Sequence, residues 1–351
     1  MQILKRALVL GMLATGMLQA QSTNRAAKAA LRVYFADVEG GQATLFVTPL
    51  GESLLVDTGW PEFGGRDADR IVALCKRAGV NRIDNVLITH YHTDHVGGVP
   101  QLAARIPIGR FIDHGENREG DDTNTQRGWK AYQKLLADGK YAHLIVKPGD
   151  VLPLKGMHVD VVSADGEVLA QPLAGAGQAN AACATSAVKE PQGTENDRSI
   201  GLLITFGKLR ILDLGDLTWA KERSLMCPGN KLGQVDVFVV SHHGLAWSNS
   251  EALVDGVAPR VAIMDNGATK GADASAWEIV EQSPRISGGK GAMWQLHTAI
   301  KNDSAHNVPE ARIANLPGTD AGHSLELLGR KNGSFAVTNE RTGEVVQYRA
   351  P

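Results

Sequence analysis

The chain is 351 residues long, with a formal net charge of −2, 43 % hydrophobic and 21 % charged residues. That length allows one large domain or two small ones around a sizeable core, and the composition is ordinary for a globular protein. A charge so close to zero gives no long-range pull toward nucleic acid, which argues against a non-specific DNA or RNA binder.

Residues 1–20 read as an export signal. Lys5 and Arg6 form a short positive region, residues 7–18 are apolar but too few to span a bilayer, and Ala20 offers a small residue for cleavage. The expectation is a periplasmic or secreted protein without a stable membrane anchor, a linker at 21–30, and mature structure from Leu31. Cys75, Cys183 and Cys227 allow at most one disulfide. Cys75 falls on the apolar stripe of a helix, where it acts as a small hydrophobe, so Cys183 with Cys227 is the expected pair.

Residues 31–35 and 44–48 alternate like strands around the glycine-rich turn Asp37-Val38-Glu39-Gly40-Gly41-Gln42-Ala43. Residues 53–59 form an apolar strand ending in Asp57-Thr58-Gly59. An amphipathic helix is predicted over 67–78, with Gly79 as its stop. A buried strand at 85–89 leads into a helix at 95–104, and a further strand at 108–112 ends at Asp113-His114-Gly115. Residues 116–141 form a polar insertion with a helix at 129–136, of the kind that covers one rim of a site. Strands at 143–147 and 158–163 precede a low-complexity loop at 169–194, expected near the cleft. Then come a hairpin at 199–205 and 209–214 and strands at 235–240 and 260–264. Strands at 325–328, 335–338 and 345–348 form an edge meander. The organisation expected is one domain over 31–310, with a β-rich extension over 311–351 packed on it.

The chemistry concentrates in Thr89-His90-Tyr91-His92-Thr93-Asp94-His95, followed by Gly97-Gly98. The whole chain holds 11 histidines, so three within six positions at a strand end is a strong signal. In an extended segment side chains alternate, which puts His90, His92 and Asp94 on one side. A turn into helix at Asp94-His95 swings His95 back toward the same space. Imidazoles and a carboxylate without thiolate suit a pair of zinc ions, and also iron or manganese.

His-X-His-X-Asp-His after a buried strand resembles the signature of the metallo-β-lactamase superfamily. The resemblance implies an α/β fold, the metallo-β-lactamase αββα four-layer sandwich. It also implies that Asp216, after the strand Leu212-Asp213-Leu214, bridges the two metals, with Asp213 turned to the other sheet face. Asp57 would orient a ligand histidine or the local backbone. Val240-Ser241-His242-His243-Gly244 and Asn196-Asp197-Arg198-Ser199 resemble the branch of ComEC competence proteins and phosphorylcholine esterases. By that likeness His242 is the ligand beside Asp94 and His95, and His243 stands behind it or gives a proton to the leaving group. The reverse order fits the sequence too.

The first metal then has His90, His92 and the shared Asp216, without a third histidine in the usual place. His114 and Asn196 are the candidates to replace it, and His114 also reads as a plain rim residue. Histidines 143, 158, 297, 306 and 323 show no ligand spacing and are assigned to surface or core. The implied activity is hydrolysis by a metal-activated hydroxide, with Asp94 and His243 as catalytic candidates and a phosphodiester as substrate. β-Lactam, lactone or ester hydrolysis is the alternative. A metal-poor, non-catalytic binding module is the alternative of another class.

Overall fold

Runs such as Val86-Leu87-Ile88 and Val237-Phe238-Val239 are apolar on both sides of the pleat, the pattern of strands covered on both faces. In the computed structural model, which describes residues 29–120, 123–287, 292–318 and 320–351, they lie inside two large mixed sheets. The predicted export signal lies outside the described residues. Among those residues, no helix is long and apolar enough to cross a membrane.

Strands β1 (Leu31–Phe35), β2 (Thr44–Val47), β3 (Ser53–Val56), β4 (Ile83–Leu87), β5 (Ile108–Asp113) and β6 (Ala142–Ile145) build the first sheet. β1 to β3 form an antiparallel meander, and β3 to β6 run parallel. The second sheet holds β7 (His158–Ala164), β8 (Glu167–Val168), β9 (Gly201–Phe206), β10 (Leu209–Asp213), β11 (Val237–Val239), β12 (Val261–Met264), β13 (Ala292–His297) and β14 (Ile313–Asn315). From β10 to β14 its strands are parallel. Finally β15 (Leu325–Gly329), β16 (Phe335–Asn339) and β17 (Val345–Tyr348) return to the first sheet, where β15 pairs antiparallel with β1. Residues 311–351 therefore contribute strands to both sheets.

Three hydrophobic layers follow from this. Phe35, Phe46, Leu202, Ile211 and Trp294 fill the space between the sheets. Ile71, Leu74 and Cys75 of helix Arg66–Arg77, with Tyr132 of helix Thr123–Ala137, cover the first sheet's outer face. Leu225, Leu253 and Val280, from helices Trp219–Met226, Glu251–Val257 and Ala274–Gln282, cover the second. Helix, sheet, sheet, helix is the αββα sandwich.

The helix predicted over 95–104 is two short ones, Thr93–Val96 and Val99–Ala103, because Gly97, Gly98 and Pro100 interrupt it. The loop at 169–194 also divides in two. Its first part lines a cavity of ≈ 690 Å³ with Asn230 and Asp255, a space that shares no residue with the histidine cluster. Its second part returns toward that cluster: Lys189 Nζ donates to the Ala246 carbonyl at 3.1 Å, and Trp219 Nε1 donates to Ala187 O at 2.8 Å. Cys183 and Cys227 form the expected disulfide, and Cys75 is free and buried.

Candidate metal centre

Parallel strands bring their carboxyl ends to one edge, which is where open α/β sheets place their sites. Here β3 ends before Asp57, β4 before His90, β10 before Asp216, β11 before His242 and His243, and β12 before Asp265. Two glycines let the loops close on that edge. A Cβ on Gly41 would stand 2.5 Å from Asp94 O, and one on Gly98 would stand 2.1 Å from Thr58 O.

Two groups of donors form around one carboxylate. Asp94, His95, Asp216 and His243 are all buried and within ligand distance of one another, and His90, His92 and Asp216 make the second group. Asp216 Oδ2 lies 3.8 Å from His90 Nε2 and 3.3 Å from His95 Nε2, and Oδ1 lies 3.5 Å from His243 Nε2. The shared carboxylate is thus the one expected at the bridging position. Asp213, the competitor, points elsewhere: Gln42 Nε2 donates to it at 2.7 Å, and burial pushes its carboxyl up to about 7.

Each ligand nitrogen is freed by a partner on the other ring nitrogen. His95 Nδ1 donates to Asp57 Oδ2 at 2.7 Å, and Asp57 in turn accepts from Thr89 Oγ1 at 2.7 Å and Thr89 N at 2.8 Å. With the Thr89 hydroxyl proton so engaged, its oxygen accepts from His90 Nδ1 at 3.1 Å. His92 Nε2 lies 3.3 Å from Glu119 Oε2, and His243 Nδ1 lies 3.2 Å from Asp265 Oδ1. Such outer partners fix the tautomer and turn the remaining lone pair inward.

The inward atoms are short of partners in the way that suits a cation. His95 Nε2, His243 Nε2 and Asp216 Oδ1 are buried without a hydrogen bond. His90 Nε2 and His92 Nδ1 lie 3.0 Å apart, the second pair of nitrogens turned to the same space. Nitrogen and oxygen donors without thiolate fit zinc, and also iron or manganese.

Burial alone would lower His95 and raise Asp216. The Asp216, Asp94 and Asp57 carboxylates instead hold His95 well above its usual range, and the His242, His95 and His243 imidazoles hold Asp216 well below its own. His90, buried beside His95, is pushed down and stays neutral.

The structure exchanges the roles expected of the two adjacent histidines. His243, not His242, stands with Asp94 and His95. His242 Nε2 instead reaches Asp216 Oδ2 at 3.3 Å, with burial holding its ring down to about 4. The exchange comes from the backbone. His242 and His243 both have φ of 55°, a left-handed conformation rare outside glycine, and Gly244 follows at 83°. Two successive left-handed residues break the alternation that a strand end would impose. The turn is pinned by His242 N donating to Gly215 O at 3.0 Å and Ala272 N donating to His243 O at 2.8 Å. Such strain persists where surrounding contacts over-determine it, as at functional sites.

His114 is not brought to the donors. Its Nε2 pairs with buried Glu195 at 3.0 Å, and its ring packs on Tyr91. It is a buried histidine held outside both donor groups, and the expectation of a replacement ligand is corrected. Asn196 is buried with Oδ1 lacking a partner, while Ser199 accepts the Asp216 backbone N–H at 3.2 Å. His297 pairs with Asp37 at 2.7 Å in the core, and Arg70 holds the other Asp37 oxygen at 3.0 Å. That cluster is satisfied without an ion.

Three residues join the site without having been expected from the sequence: Asp265, Glu119, and Lys270, whose Nζ donates to Asp94 Oδ2. Asp265 carries the signal that marked Asp57 and Asp216, an acid just past a buried strand. Glu119 and Lys270 lie in loops and carry no local signal.

Comparison with known proteins agrees with this arrangement. Residues 36–178 match the family model of the metallo-beta-lactamase superfamily. "Recombination protein 2" of Haemophilus influenzae is 26 % identical over 232 residues, 66 % of this chain and 24 % of that protein. "Hydroxyacylglutathione hydrolase" of Stenotrophomonas maltophilia is 36 % identical over 99 residues, 28 % of this chain and 34 % of its own length. "ComE operon protein 3" of Bacillus subtilis is 25 % identical over 190 residues, 54 % of this chain and 20 % of that protein. The matches thus span between a fifth and about a third of these relatives. Residues 36–178 thus resemble the metallo-β-lactamase superfamily, and the four layers and the donor set are consistent with that match.

Proposed function

We propose that this is an exported metal-dependent hydrolase that acts on a phosphodiester. The observation that carries hydrolysis is the pair of donor groups sharing Asp216, with His95 Nε2, His243 Nε2 and Asp216 Oδ1 buried and unpartnered. When bound there, two divalent cations supply a hydroxide near neutral pH and polarise the oxygen of the scissile bond.

The chain's own part is positioning. Asp57, Asp265, Glu119 and Thr89 hold the imidazoles with their lone pairs inward. His242, kept neutral by burial, reaches the Asp216 oxygen that His90 also faces, without joining the His90–His92 donor group. Asp94 Oδ2 faces His95 and His243 at 3.4 and 3.3 Å, so that carboxylate would hold a cation with them and could also hydrogen-bond the attacking water. The phosphodiester reading is supported by the order of motifs, His-X-His-X-Asp-His, Asn-X-X-Ser and Ser-His-His-Gly, and by relatives named Recombination protein 2 and ComE operon protein 3. Export is supported by the signal-like residues 1–20 and by the Cys183–Cys227 disulfide, which suits an oxidising compartment.

Elemental analysis of metal per chain, paired with turnover of bis(p-nitrophenyl) phosphate and of a chromogenic β-lactam, tests the reading. Paired metal with phosphodiester turnover is expected. Turnover of the β-lactam alone moves the chain to amide hydrolysis, and absence of both metal and turnover makes it a binding module. Asp216→Ala should lose the metal pair and lower kcat by at least ~10³-fold, since it removes the one ligand common to both ions; a variant that keeps both metals sinks the bridging role.

A further inference from the structure

Lys270 sets an ammonium directly against the donor cluster. Its Nζ donates to Asp94 Oδ2, the oxygen that lies 3.4 Å from His95 Nε2 and 3.3 Å from His243 Nε2. A divalent cation held by Asp94, His95 and His243 would compete with the ammonium for that carboxylate. Two cations on one buried oxygen repel strongly, because little water screens them. The ammonium must therefore leave Asp94 when the metal arrives.

It has somewhere to go, but not far. The Lys270 side chain is 30 % exposed, and Nζ already lies 4.9 Å from the centre of the Trp60 ring, whose face attracts a cation. The backbone beneath is fixed. Gly267 N donates to Lys270 O at 2.9 Å, and a Cβ on Gly40 would stand 3.0 Å from Lys270 Cβ. A Cβ on Gly271 would stand 2.2 Å from His243 O, so the next residue is pressed onto the ligand turn. The Cα is thus held against the centre, and the four-carbon tail carries the ammonium from there to Asp94 and the Trp60 ring.

We infer that Lys270 is the anchor for a non-reacting anionic oxygen of the substrate: displaced from Asp94 by the metal, its ammonium stands over Trp60 at the mouth of the centre and holds a phosphate oxygen there. This rests on the metal-hydrolase reading and names the charge which that site selects.

The test uses Lys270→Gln and Lys270→Arg in the full chain. Inorganic phosphate is titrated calorimetrically into the zinc-loaded proteins, and zinc affinity of the metal-free proteins is measured against a chelator. Lys270→Gln should keep its paired zinc, bind phosphate at least about tenfold more weakly, and take up zinc several-fold more tightly, because a charge-assisted hydrogen bond and a competing cation are both gone. Lys270→Arg should keep most of the phosphate affinity. Phosphate binding unchanged in Lys270→Gln overturns the inference, and so does failure of Lys270→Gln to hold paired zinc while Lys270→Arg holds it. Wild-type protein that binds phosphate through Lys270 yet turns over no phosphodiester supports the anchor and sinks the proposed substrate instead.

Discussion

Four side chains decide which nitrogen each ligand imidazole presents, and none of them touches the space where a metal would sit. Asp57 faces His95, Asp265 faces His243, Glu119 faces His92, and Thr89 faces His90. Losing one such partner frees the ring to rotate and change tautomer, so its effect is local to one ion. Asp265→Asn should weaken one metal by roughly 10–100-fold and leave the other in place, read by chelator titration of the zinc-loaded protein. Equal weakening of both would mean that Asp265 supports the whole edge. At this scale His90, His92, Asp94, His95 and Asp216 were legible because short-range spacing alone places them. The choice between His242 and His243 was not, because it depends on two left-handed residues in succession, a conformation their side chains do not announce. Glu119 and Lys270 arrive from loops whose course only tertiary packing sets.

The turn that carries His242 and His243 is braced from behind by the helix Trp219–Met226. Glu222 of that helix accepts the backbone N–H groups of Asn249 and Ser250, each at 2.7 Å, just past the turn. Burial raises its carboxyl to about 7 despite those bonds. The folded state therefore retains a proton that the unfolded chain, near its ordinary value of 4.5, has released. Stability from this group is fully present below about 4.5, falls as pH rises to about 7, and is flat above, a loss of at most ~3 kcal/mol. Urea unfolding of Glu222→Gln at pH 5 and pH 7.5 should show a smaller decline than wild type; an equal decline assigns the slope elsewhere. The strands themselves were largely readable, since β1 to β5 and β9 to β12 coincide with the apolar runs to within a few residues. The helices over the second sheet were not. Residues 219–226, with Lys221, Glu222 and Arg223 in succession, show weak amphipathic order, and that helix is held by Leu225 and Met226 packing beneath it.

Across the molecule, Trp294 of β13 ties the two sheets together. It is fully buried between them, and its Nε1 donates to Tyr348 Oη at 3.1 Å, joining the second sheet to the last strand of the first. Trp294→Ala should cost ~3–5 kcal/mol by opening a cavity there, measured by denaturant unfolding, with the metal centre intact in the fraction that remains folded. A cost under ~1 kcal/mol would mean that the layer repacks freely. The four-layer architecture was legible from the family motif, and β13 was not, although Met293, Trp294 and Leu296 are apolar. Its flanks, Gly288, Gly289 and Gly291 on one side and Thr298 on the other, resemble loop, and parallel pairing with β12 and β14 is what makes it a strand.

The pairing of β1 with β15 has a kinetic consequence. The first strand of the domain finds its second neighbour only at residues 325–329, so the sheet stays open on that side until those residues are made. Contacts so distant in sequence fold slowly. Until β15 arrives, the whole length of Leu31–Phe35 is a bare edge, able to pair with another unfinished copy. Aggregation during synthesis, rather than loss of the finished structure, is the hazard that this topology carries.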